Sequence, residues 1–260
     1  MNKIRFSFPR LGMLLRNDLQ IFSRLVLYAS LVLLGLMIAL YMVQVQDVIE
    51  HGTTLPFFTE WFGAILMIGG FLLSSFAFYE LTNKQKGMSY LMVPASMLEK
   101  WLSRLVLTGP AFALYFWILF GGIALIAQGI SQLLFGVQLE PFEWTGDTTW
   151  LLIRLYLVFQ AFFVAGSVFL GRLAFLKTPV ALAVVGFVLL GIMYLYLKVV
   201  TWNIARPGWE IEFAGEYQNS VGMRAWIEGP MVNILEGLFW WLLTPFFWVV
   251  SYLRLTEKEV

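Results

Sequence analysis

The sequence predicts an all-α polytopic membrane protein with six transmembrane helices, both termini inside, and an amphipathic inner-leaflet helix before the first span. Three observations predict it: six long apolar runs, basic residues gathered in alternate loops, and Trp and Tyr at the run boundaries. The runs cover Leu25 to Val43, Phe62 to Tyr79, Leu105 to Ala127, Leu151 to Leu170, Val180 to Leu197 and Ile234 to Tyr252. Each is near the ~20 residues that cross a ~30 Å hydrocarbon core. They lack the ~10-residue alternation of a membrane barrel, so helices are the form that satisfies their backbone polar groups in lipid.

Orientation follows from Lys and Arg. Lys3, Arg5, Arg10, Arg16 and Arg24 precede the first span. Lys84, Lys86, Lys100 and Arg104 follow the second, Arg172 and Lys177 the fourth, and Arg254 and Lys258 the sixth, making 13 of the 17 basic residues. The first-to-second and third-to-fourth loops have none, and the long fifth-to-sixth loop has Lys198, Arg206 and Arg224. The positive-inside rule therefore puts both termini in the cytoplasm. Trp61, Trp144, Trp150, Trp202, Trp209, Trp226, Trp240 and Trp241 then fall at the outer boundary, and Tyr79, Tyr90, Trp101 and Tyr252 at the inner one, where amphipathic rings sit best.

Composition agrees and excludes several classes. With 60% hydrophobic and 13% charged residues, the chain is far from the roughly 25% charged residues of a soluble domain. Its net charge of +1 is partitioned by side and forms no basic patch for nucleic acid. The absence of cysteine removes disulfides, thiolate metal sites and a Cys nucleophile. His51 is the single histidine and stands in an outer loop, so the sequence offers neither a His-rich metal site nor an intramembrane Ser-His pair. No catalytic residue, metal or chain-bound cofactor is therefore expected.

Residues 1–24 form the first expected unit, a cytoplasmic amphipathic interfacial helix, because Leu11, Leu14, Leu15, Leu19 and Phe22 recur at helical spacing among Arg16, Asn17, Asp18 and Arg24. Residues 25–260 are the six-helix transmembrane domain. Its inner loop, 80–104, is longer than a helical hairpin needs. Gly87 permits a turn there, Pro94 interrupts the apolar stretch Tyr90 to Val93, and Ser96 with Glu99 fits a capping box. A helix should start near Ser96 and run into the third span, leaving a short, partly apolar knob in the cytoplasm. The outer loop 198–233 is punctuated by Pro207, Gly208, Gly215, Gly222, Gly229 and Pro230. Its end, Met223 to Glu236, has the apolar spacing of a short helix on the outer face.

The features Glu80, Gly87, Leu91, Pro94-Ala-Ser96 and Glu99-Lys100, together with the helix before the first span, six spans, and a long last outer loop, resemble the type-2 ABC exporter permeases. The resemblance implies a permease that pairs with a second permease copy or paralogue and with two cytoplasmic ABC ATPase subunits in a prokaryotic inner membrane. It makes Gly87, Leu91, Pro94, Ser96, Glu99 and Lys100 the ATPase-coupling loop, with ATP and Mg on the partner ATPase. The chain has no G-x-x-x-x-G-K-[ST] phosphate loop, so pumping would draw on another chain or an ion gradient.

Inside the spans, polar groups are few. Gly69, Gly70, Ser74 and Ser75 make a smooth face in the second span for helix packing or pore lining. Gln160 fits an interhelical hydrogen bond or a ligand contact, and Arg154 fits snorkelling to the outer headgroups or a contact to substrate or another helix. Pro110 and Pro245 should kink the third and sixth spans. So few polar groups favour an amphipathic, lipid-like or peptide cargo moving among membrane lipids over a small ion. The other classes weighed are a secondary transporter, disfavoured because no Asp or Glu lies deep in a span, a non-transporting scaffold, and an intramembrane enzyme.

Overall fold

The computed structural model describes residues 6–51, 57–82, 87–88, 92–136, 141–204 and 237–257. The described residues form helices and connecting turns, with no strand among them. In chain order the elements are α1 (Phe8–His51), α2 (Phe57–Ser75), a 3-10 turn (Tyr79–Thr82), α3 (Met97–Val106), a π turn (Leu107–Ala111) and α4 (Phe112–Phe135). There follow α5 (Asp147–Phe169), a 3-10 turn (Gly171–Leu173), α6 (Ala174–Ile204), a π turn (Leu238–Leu242) and α7 (Leu243–Glu257). Five stretches are long and apolar enough to cross a bilayer: Val26–His51, Phe57–Leu81, Met97–Phe135, Asp147–Phe169 and Ala174–Leu195. That is the build of a multi-pass membrane protein. Of the sixth expected span, the part from Gly237 on is described, as the second π turn and the 15 residues of α7. The expected helix Met223 to Glu236 lies outside the described residues, as does the outer loop beyond Ile204.

The expected boundary at residues 24 and 25 is not a break. The amphipathic segment and the first span are one 44-residue helix, about 66 Å long at 1.5 Å per residue, well beyond a ~30 Å core. Leu11 is buried, but so is Asp18 from the expected polar face, and Leu19 is exposed. The reason is α3, which offers Asp18 a hydroxyl and a guanidinium.

Contacts set the direction of each helix. α1 runs parallel to α3 and α4, because Asp18 meets Ser103, Ser30 meets Tyr115, and Tyr41 meets Ser131. α2 runs parallel to α5, with Gly70 on Tyr156 and Phe71 stacked on Phe163. α5 runs parallel to α7, with Gln160 on Trp248, Phe162 on Phe247 and Phe169 on Arg254. α2 is antiparallel to α4, as Phe58 faces Phe120 and Phe62 faces Phe116. The start of α1, the start of α3 and the ends of α2, α5 and α7 therefore share one end of the bundle. Left-handed backbone at Gly136 (φ 66°) closes α4, and at Gly171 (φ 66°) it turns the chain from α5 into α6, a conformation that costs a residue with a Cβ.

Lipid is as apolar as leucine, so close packing and hydrogen bonds rather than hydrophobic transfer hold such helices together. Toward the far end from the shared one, Tyr41, Phe57, Phe58, Phe62, Phe116, Phe120 and Phe142 form a buried aromatic core. Their edge-on and stacked pairs each contribute about 0.5–1.5 kcal/mol beyond area. A second core, Ala77, Phe78, Met97, Leu105, Val164, Val168 and Leu255, closes the shared end. α6 stands outside both, its apolar side chains largely exposed to the surroundings.

Candidate functional site

At the shared end, the first turn of α3 carries the expected capping box. Ser96 stands at φ −66° and ψ 151°, and its hydroxyl accepts the Glu99 N–H at 3.2 Å. The Ser96 N–H donates to Glu99 Oε2 at 2.8 Å. The second carboxylate oxygen reaches across to α1, where Oε1 accepts from the Ser7 N–H at 2.6 Å and from Arg10 at 3.2 Å. Glu99 is fully buried.

Two turns on, three segments meet at one guanidinium. Arg104, nearly buried, pairs with Asp18 of α1 at 3.3 Å and with Glu80 of the turn after α2 at 3.2 Å. The Ser103 hydroxyl donates to Asp18 at 2.8 Å, and Lys100 is buried on the same helix. A buried cation between two carboxylates from different segments fixes their relative position, because removing the cation leaves both carboxylates without their partner.

The network then enters the apolar region through the π turn. Pro110 has no N–H, and the Phe112 N–H bonds to Gly109 O, so Thr108 O is released from the helical ladder. The Tyr156 hydroxyl of α5 donates to that carbonyl. The Thr108 hydroxyl donates to Arg104 O at 2.8 Å and accepts from Gln160 at 3.0 Å, and Gln160 Oε1 accepts from the Trp248 ring N–H at 3.2 Å. Beside it the Trp101 ring N–H donates to Ser251 at 2.9 Å. Hydrogen bonds thus join α1, the end of α2, α3, α5 and α7 around one segment. These bonds hold α3 directly to the helices around it.

Of the residues expected to form the coupling loop, Glu99 and Lys100 are buried, and the cap and the Arg10 ion pair use Glu99 within the chain. Gly87 is buried, Ser96 is half-buried in the cap, and Pro94 is exposed in a bend. Leu91 lies outside the described residues, as do Lys84 and Tyr90. Among the described residues of this region, the large exposed side chains are apolar: Met88, Met92 (79% exposed), Val93 and Leu98.

The small-residue face of α2 packs within the chain. A Cβ at Gly70 would overlap the Tyr156 ring, Gly69 lies 3.6 Å from Phe112 by the same measure, and Ser75 donates to Phe71 O at 2.7 Å. Ser74 is buried there too. Gln160 makes interhelical hydrogen bonds, and Arg154 is exposed on α5. Sequence reasoning missed Asp18, Arg104, Thr108, Tyr156 and Trp248. The available signal was Thr108-Gly109-Pro110, a proline that must free a backbone acceptor just inside the span. Comparison with family models, with curated proteins and with solved structures found no match to this chain.

Proposed function

We propose that the chain is the membrane permease subunit of an ATP-driven exporter, with six spans and both termini in the cytoplasm of a prokaryotic inner membrane. It works beside a second permease copy or paralogue and docks on separate ABC ATPase subunits, which bind ATP and Mg. The observation that carries this reading is an exposed apolar knob, Met88, Met92, Val93 and Leu98, at the start of a helix that runs into the third span. An apolar surface at the basic, cytoplasm-facing end asks for a protein partner, and its attachment to α3 supplies the lever. Basic residues concentrated in the inner loops support the orientation. Pairing with a second permease rests on the resemblance alone, since the small-residue face of α2 is occupied by Tyr156. The cargo is amphipathic, lipid-like or a peptide.

The test is affinity purification of the chain from native membranes in mild detergent, with identification of the co-purifying proteins. A soluble subunit with a phosphate loop is expected at a stoichiometry of one per permease. Full transport activity of the chain reconstituted alone would overturn the reading in favour of a carrier or an enzyme.

A further inference from the structure

The end of the bundle opposite the ion-paired network holds a cavity of about 770 Å³ between the start of α2, the segment 141–148 and the start of α5. That volume is in the ~300–1,000 Å³ range of small-molecule sites. Phe58, Ala64, Met67 and Leu152 give it apolar walls, while Glu60 and Glu143 stand on its lining as carboxylates. The walls are fixed by contacts of their own. Thr149 donates to Glu143 O at 2.8 Å, the Trp117 ring N–H donates to Trp144 O at 3.1 Å, and the Glu143 carboxylate occupies the space a side chain at Gly146 would need.

Among the described residues that line the cavity, the charged ones are Glu60 and Glu143, and none is Lys or Arg. Arg154, two residues beyond Leu152, falls roughly 200° around α5 from it, on another face. An apolar chamber lined by two carboxylates, with no Lys or Arg among its described lining residues, selects by charge sign and by shape together.

We propose that this cavity binds a cationic amphiphile, its positive head between Glu60 and Glu143 and its apolar body against Phe58, Ala64, Met67 and Leu152. A zwitterionic lipid fits less well, because its phosphate would stand among the same carboxylates. The binding rests on the cavity itself; that the bound cation is cargo rests on the permease reading above.

The chain in phosphatidylcholine nanodiscs is titrated with rhodamine 6G, a cationic amphiphile, and with sulforhodamine B, which has the same ring body and net negative charge. Fluorescence anisotropy is corrected with empty nanodiscs. Saturable binding of rhodamine 6G and none of sulforhodamine B is expected. Replacing both rim carboxylates, Glu60→Gln with Glu143→Gln, should raise the dissociation constant on the order of tenfold, the loss of two charges acting through water-like surroundings. Ala64→Trp, which keeps both charges and fills the chamber, should abolish saturation. Equal binding of the two dyes, or unchanged rhodamine 6G affinity in both folded variants, overturns the site. Because no ATPase is present, cation binding without a co-purifying ATPase would uphold the site and overturn the permease, and the converse would do the reverse.

Discussion

Gly70 and Gly69 are neighbours with different roles. Tyr156 lies over Gly70, where a Cβ would overlap its ring, whereas one at Gly69 would meet Phe112 at an ordinary 3.6 Å. Gly70→Ala should therefore destabilise the bundle by about 1–3 kcal/mol through forced repacking, with Gly69→Ala within about 0.5 kcal/mol of the parent, as read by thermal unfolding in detergent. At this scale the sequence was partly legible. A capping box and a lone glutamine in an apolar run announce themselves, whereas Tyr156 and Thr108 read as ordinary span residues because they meet at the Thr108 carbonyl, which only the π turn frees.

The elements that mattered most were the ends of helices. The start of α3 was visible in Ser96 and Glu99, since a cap is local chemistry. The continuity of α1 was not: Arg16, Asn17 and Asp18 look like an interfacial polar face until Arg104, far along the chain, supplies the partner that lets Asp18 be buried. Pairing across such a distance leaves no periodic trace in either segment. The pair can be tested as a unit. Arg104→Gln leaves Asp18 and Glu80 without their cation and should cost about 3–5 kcal/mol, while Arg104→Gln combined with Asp18→Asn should recover a substantial part of it, the non-additivity being measured by denaturant unfolding in a double-mutant cycle.

Over the whole molecule, the alternation of helix directions puts the exposed knob at Met92 and the acidic cavity at opposite ends, and the proposed topology turns the knob to the cytoplasm. The chain has no cysteine, so single replacements report cleanly. A Cys at Thr148 should react with an impermeant maleimide in intact cells, and one at Met92 only after permeabilisation; the reverse pattern would invert the topology. The long apolar helices were legible because hydropathy acts locally, whereas the hydrogen-bonded network around α3 was not, because it depends on which side chains meet. The central claim is that an ATPase grips the Met92 knob. A photo-cross-linking amino acid at Met92, activated in living cells, tests it directly. The expected result is a single adduct with a soluble, phosphate-loop ATPase, lost when Val93 and Leu98 are both replaced by Asp; an adduct with some other protein, or none in correctly inserted chain, would contradict it.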